Sequence, residues 1–215
     1  MVRAIPRHWT LYQRRVGFAR SSGLLDSPRP TPYNETIRRS WMIREFNGMA
    51  PRIAKSAFIS EAAYVVGDVE IGEDSNVFPG AVIRGDFGRI SIGSNTSVED
   101  NCVIHSGTPS SPMGDVHIGD MVLIGHGAVL NCRKIGSSVL IGMNATILHD
   151  VEIGDRCIIG AGCLVSQGMK IPDDSFVAGV PGRIRGKPSE QQLWWVREGS
   201  KGYVELARQY RNHGL

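Results

Sequence analysis

Ile135-Gly-Ser-Ser-Val-Leu-Ile141-Gly-Met-Asn-Ala-Thr-Ile147-Leu-His-Asp-Val-Glu-Ile153-Gly-Asp-Arg-Cys-Ile-Ile159 repeats its pattern every six residues. An aliphatic side chain marks each hexad, and a small residue or a valine stands two positions before it, at Val139, Ala145, Val151 and Cys157. A period of six fits neither the 3.6-residue turn of an α-helix nor the two-residue alternation of a flat strand. Three short strands joined by tight bends do fit, because each side of such a triangular coil turns one large and one small residue inward. Gly, Asn and Asp suit the bends, which need φ > 0. Each coil hydrogen-bonds to the next, so the region reads as an all-β solenoid, a parallel β-helix whose core is a ladder of aliphatic side chains.

Working outward, the ladder continues to Val165, Ile171 and Val177, and upstream through Ile118, Ile124 and Leu130, Ile92, Val98 and Ile104, and Ile53 to Ile83. The β-helix is assigned to 51–182, between a basic arm at 1–50 and a helical segment at 183–215. Cys102, Cys157 and Cys163 take the small inward place and are read as core residues. Four cysteines at irregular spacing, without a secretory signal, argue for a reducing compartment.

The register breaks three times. Arg84 to Arg89 adds three residues, Ser106 to about Met113 is an insertion, and Leu130 to Ile135 is one residue short. With three hexads to a coil, Ile104 and Leu130 fall on the same side of adjacent coils, so His105 and Asn131 are stacked neighbours. His126 follows Ile124 one side earlier and points elsewhere. A parallel three-fold trimer would place His126 of one chain against the 105/131 pair of the next.

Charge is uneven along the 215 residues. Met1 to Ala50 holds nine Arg and no Lys against three acids, so the net +3 of the whole chain belongs to the arm. Met1 to Leu25 has five Arg and no acid, the composition of a mitochondrial targeting segment. Arg14, Arg15 and Arg20 are its candidate contacts with anionic lipid headgroups or partner subunits. No run approaches the roughly 18 to 20 apolar residues of a membrane span, and no nucleic-acid partner is expected. Beyond the solenoid, Gly179-Val-Pro-Gly-Arg183 leads to Ser189-Glu-Gln-Gln192, a capping-box pattern. Leu193, Val196, Tyr203, Leu206 and Tyr210 then suggest two helical pieces broken near Gly199 and Gly202, with core packing the default for Trp194 and Trp195 and a partner-facing place open to one of them.

The segments Val82-Ile-Arg-Gly-Asp86, Val98-Glu-Asp-Asn-Cys-Val-Ile-His105, Ile124-Gly-His-Gly-Ala-Val-Leu-Asn131 and Ile141-Gly-Met-Asn-Ala-Thr-Ile147 closely resemble the γ-class carbonic anhydrases. The resemblance runs from about Asn47 to Val180 and again over the Tyr203 to Tyr210 tail. It implies a left-handed coil and a trimer. It also implies zinc at each subunit interface, bound by two histidines of one chain and one of its neighbour, with the metal making hydroxide from bound water to attack carbon dioxide. Carried over position by position, the ligands are His105 and, across the interface, His126. The third position is Asn131, and an amide is a poor zinc ligand beside imidazole.

Other positions depart as well. Glu99 and Ser97 stand where the family has the Gln and Asn beside the metal-bound hydroxide, and Phe87 replaces an acidic proton-transfer residue. Asp100 is retained, as are Arg84 and Asp86, which in the family pair subunits. His117 and His149 match no family ligand and read as bend or surface residues. The resemblance thus implies an incomplete zinc site, filled only at a mixed-subunit interface through His126. With the targeting-like arm, it implies an assembly subunit of mitochondrial NADH dehydrogenase (complex I) on the matrix side of the inner membrane. There it would sit in a hetero- or homotrimer with two other γ-carbonic-anhydrase-like subunits, against subunits of the membrane arm. Two readings stay open beside it: an active carbonic anhydrase whose sites a partner completes, and a hexapeptide acyltransferase, since Gly179-Val-Pro-Gly-Arg183 also occurs in that class.

Overall fold

A computed structural model describes residues 42–107 and 114–215. The expectations for Arg14, Arg15 and Arg20, and for 108–113 of the insertion, lie outside the described residues. Each coil lays one strand on each of three faces. The first face holds β3 (Phe58–Ile59), β5 (Asn76–Val77), β7 (Ser97–Val98), β10 (Leu123–Ile124), β13 (Leu140–Ile141), β16 (Ile158–Ile159) and β19 (Phe176–Ala178). The second holds the first halves of β4 (Tyr64–Ile71) and β6 (Val82–Ile92), then β8 (Val103–His105), β11 (Val129–Leu130), β14 (Thr146–Ile147) and β17 (Leu164–Val165). The third holds β2 (Arg52–Ile53), the second halves of β4 and β6, then β9 (Val116–Ile118), β12 (Lys134–Ile135), β15 (Glu152–Ile153) and β18 (Lys170–Ile171). Pairing from coil to coil is parallel, and β20 (Arg183–Gly186) turns back antiparallel on β19. At the other end β1 (Ile43–Arg44) pairs with β4 at Val65 and Val66, so the sheet reaches into the segment assigned to the arm.

The inward ladder is the core that the hexads predict. Ile83, Ile104, Ile124, Leu130, Ile141, Ile147 and Ile159 are fully enclosed, each contributing on the order of 1.5–3 kcal/mol of gross burial. Cys102, Cys157 and Cys163 sit among them, and so does Cys132, which fills the shortened corner after Leu130. Burial pushes the thiols up, to about 11 for Cys102 and about 12 for Cys132, so they stay neutral packing groups. Asn101 and Asn144 take the corners at φ 59° and 55°, as Asn should. Met121, Ser138 and Arg156 hold the same left-handed conformation without that preference. Their N–H groups donate to carbonyls of the preceding coil, at Ser94, Asp120 and Ser137, and the stack pins the bend where the side chain does not.

A single helix, α1 (Glu190–Asn212), replaces the two pieces expected from the glycines. Its Ser189/Gln192 capping box is closed in both directions, at 2.8 and 3.2 Å. Gly199 is a contact point, since a Cβ there would lie 2.7 Å from the Leu123 side chain. Next to it the buried Ser200 hydroxyl donates to the Asn95 carbonyl at 2.7 Å. The helix packs on β3, β5, β7 and β10 through Val196, Ser200, Val204 and Ala207. Tyr203 and Tyr210 meet Phe58 and Phe78 there, with ring centroids 5.6–5.9 Å apart. Trp194 and Trp195, expected in the core, fall outside this stripe and are 49% and 60% exposed. Gly182 closes the last coil: its N–H reaches the Leu164 carbonyl at 2.7 Å, and a Cβ would press on Cys163 Sγ. Among the described residues no helix is long and apolar enough to cross a membrane.

Candidate functional site

The residues singled out by sequence collect along the two long edges of the second face. One edge borders the third face. Register pairing stacks Arg84 on His105 and brings Leu130 beside Ile104, so His105 and Asn131 are neighbours, as the spacing predicts. His105 Nε2 lies 2.9 Å from Asp86 Oδ1 and 3.0 Å from the Arg84 guanidinium. Only one of those contacts is a hydrogen bond at a time, because Nε2 either donates to the carboxylate or accepts from arginine. Arg84 in turn lies 3.3 Å from Asp86, and the Phe87 ring meets His105 edge-on at 5.7 Å. Asn131 Nδ2 donates to the His105 carbonyl at 3.2 Å. The amide at the third ligand position is therefore tied to backbone.

The other edge borders the first face and carries Glu99, Asp100 and His126. Glu99 is buried, with 8% of its side chain exposed. Its Oε2 accepts the His126 backbone N–H at 3.1 Å and lies 3.0 Å from His126 Nε2. Asp100 Oδ2 lies 2.9 Å from His126 Nδ1. With a proton on each ring nitrogen, His126 donates to both carboxylates, and the neutral ring satisfies only one. The Tyr203 hydroxyl faces Glu99; burial first, and then that carboxylate, push the tyrosine above its ordinary value. Sequence reasoning missed this contact, because Tyr203 reads only as an apolar position of a helix and no spacing links it to Glu99. Ser97 lies deeper, enclosed beneath α1 beside Asn76, and neither side chain has a partner among the described residues.

Within one chain the two half-sites stay apart, and among the described residues no three His, Cys, Asp or Glu side chains converge as metal ligands. A three-imidazole zinc cage does not fit this chain's own residues: position 131 offers a neutral amide where an imidazole is needed, and both ring nitrogens of His126 face carboxylates. His117 is an exposed strand residue 2.8 Å from the Ser91 hydroxyl, and His149 sits in a bend of the coil after Asn131.

Between the two edges runs an outward ladder of Tyr64, Val82, Val103, Val129, Thr146 and Leu164, each stacked on the next. No helix among the described residues lies over it, and Val129 is 37% exposed. The third face is its opposite in chemistry, stacking Arg52, Glu70, Ser91, His117, Lys134, Glu152 and Lys170, with ion pairs such as Arg52–Asp68 at 3.0 Å and Arg89–Glu70.

Coils, cap and helix together define a hexapeptide-repeat solenoid with a split imidazole–carboxylate edge. The family model described as bacterial transferase hexapeptide (six repeats) matches residues 134–167. That stretch carries coil-packing residues and none of the half-site residues. A probable carbonic anhydrase of Methanocaldococcus jannaschii is 44% identical over 157 residues, covering 72% of this chain and 95% of its own. Gamma carbonic anhydrase 1, mitochondrial, of Arabidopsis thaliana is 35% identical over 179 residues, 82% of this chain, and the chain spans 65% of its length. A crystal structure described as a putative acetyltransferase of Bacillus cereus superposes with a TM-score of 0.74 at 35% identity, covering 80% of this chain and 97% of its own. The chain belongs to the γ-carbonic anhydrase family of hexapeptide-repeat proteins.

Proposed function

We propose that the chain is an assembly subunit built on the γ-carbonic anhydrase fold, lacking a complete zinc site of its own. In this reading it forms a trimer with two γ-carbonic-anhydrase-like neighbours, closed through the second face. The trimer stands on the matrix side of the mitochondrial inner membrane with the membrane arm of NADH dehydrogenase. The observation that carries the reading is Asn131, whose amide is bonded to the His105 carbonyl where a third imidazole would be needed. The bare apolar ladder supports the trimer, since an uncovered stripe of this kind marks an interaction surface. The mitochondrial Arabidopsis relative supports the compartment. Arg14, Arg15 and Arg20 of the arm would reach membrane-arm subunits or anionic headgroups.

A second reading concerns the neighbours. His126 lies on the edge opposite the 105/131 pair, which favours a mixed trimer in which it completes the site of a subunit carrying two imidazoles there. Zinc then belongs to the mixed interface alone. The test is affinity purification of the chain from its native membranes at low detergent. Co-purification of γ-carbonic-anhydrase-like subunits with membrane-arm subunits is expected. Recovery as a free homotrimer with no membrane complex would contradict the proposal.

A further inference from the structure

The end of the solenoid beyond β16 carries a surface that neither half-site uses. β20 is exposed along its whole length. Val180 (71% exposed) and Ile184 (45%) stand out from the segment that closes the last coil. Only Lys187, Pro188 and Ser189 separate β20 from α1, so the first turns of the helix lie at the same end. Early in that helix the two exposed indoles of Trp194 and Trp195 meet edge to face, with centroids 5.2 Å apart.

Arg183, Arg185 and Lys187 are exposed in the same short stretch, and among the described residues none of them sits in an ion pair. The nearby acids are engaged: Asp173 and Asp174 hold Arg156 at 3.6 and 2.7 Å, and Glu190 lies 4.0 Å from Arg197. Lys187 adds a weaker pull on Asp174. Exposed apolar side chains and cations outside any ion pair thus alternate through residues 180–195.

We infer that this end of the solenoid docks on the surface of an anionic phospholipid bilayer. Indoles favour the headgroup level, where the ring body is apolar and the N–H stays wet. Each Lys or Arg close to an anionic leaflet adds attraction. Unpaired cations among exposed indoles and aliphatics match that layer in both charge and polarity. The patch lies at the end of the first face, so assembly through the second face leaves it open, and a parallel three-fold trimer would present three copies in the same direction. The inference needs neither the trimer nor the respiratory complex, and it does not involve the N-terminal arm.

Cosedimentation of the full chain with phosphatidylcholine vesicles, with and without phosphatidylglycerol, tests it. The chain should bind the mixed vesicles and not the neutral ones. The variant Arg183→Ser/Arg185→Ser/Lys187→Ser should lose affinity on the order of a hundred-fold, with its circular dichroism unchanged. In an Arg14→Ser/Arg15→Ser/Arg20→Ser background, which removes the arm's own candidate headgroup contacts, the 183/185/187 substitution should lower mixed-vesicle binding by the same factor. In a Trp9→Phe/Trp41→Phe chain, brominated lipid should quench the fluorescence of Trp194 and Trp195. Wild-type affinity in the 183/185/187 variant, unquenched indoles, or no binding by the native chain would each overturn the inference. So would a Trp194→Ser/Trp195→Ser variant that releases a bound protein while vesicle binding stays intact.

Discussion

Two of the three outer faces carry apolar side chains, and they differ in what covers them. On the first face Phe58, Phe78 and Leu123 lie under α1, which follows the solenoid in sequence and folds back along it. On the second face Tyr64, Val82, Val103 and Val129 form an apolar ladder, followed by Thr146 and Leu164, with no helix of the described chain over it. The third face, lined by paired charges, shows what the same coil looks like when it faces water. A solenoid sets inward residues by its core, so its outward residues are free to record each side's environment. The comparison singles out the second face as the one the proposed assembly would close, and both half-sites lie on its edges.

The largest effect should come from the covered face. Phe78→Ala removes the ring that meets Phe58, Tyr203 and Tyr210, and should cost about 3–5 kcal/mol in urea unfolding. Val129→Asp puts a charge on the bare ladder and should dissociate the assembly in sedimentation velocity, since an unpaired buried charge costs several kcal/mol. The released chain should keep its circular dichroism. Lys134→Glu on the charged face should change neither association nor stability by more than about 0.5 kcal/mol. If Val129→Asp and Lys134→Glu behave alike, the two faces do not differ as described.

The smaller predictions concern helix and core. Ser189→Ala opens the capping box of α1 and should cost about 1 kcal/mol. The raised thiols of Cys102 and Cys132 set an alkaline limit. Below their ordinary value of 9.0 both states hold these protons. Above it the unfolded chain loses them and the folded chain does not, so stability falls as pH rises from about 9 toward 12. Urea midpoints across that range should decline, and a Cys132→Ala chain should decline less steeply.

The six-residue period made most of this legible. It placed the aliphatic ladder but not Ile90 or Cys132, which fall where the register breaks, and counting hexads put His105 and Asn131 side by side. What it missed lies in contacts between elements far apart in the chain. Gly199 and Gly202 look like breaks in a helix, and only the proximity of Leu123 shows why a glycine serves at 199. Trp194 and Trp195 look like core because they are large and apolar, yet the buried stripe runs through Val196 and Ser200. The Tyr203–Glu99 contact depends on how α1 lies across the first face, which local pattern does not encode.

Zinc content of the purified chain, assembled with copies of itself and no other subunit, tests the central claim most directly. With an amide at 131 bonded to backbone and His126 held between Glu99 and Asp100, metal well below one ion per chain is predicted, and Asn131→His with Glu99→Gln should raise it. One tightly held zinc per native chain, lost on His126→Ala, would contradict the account.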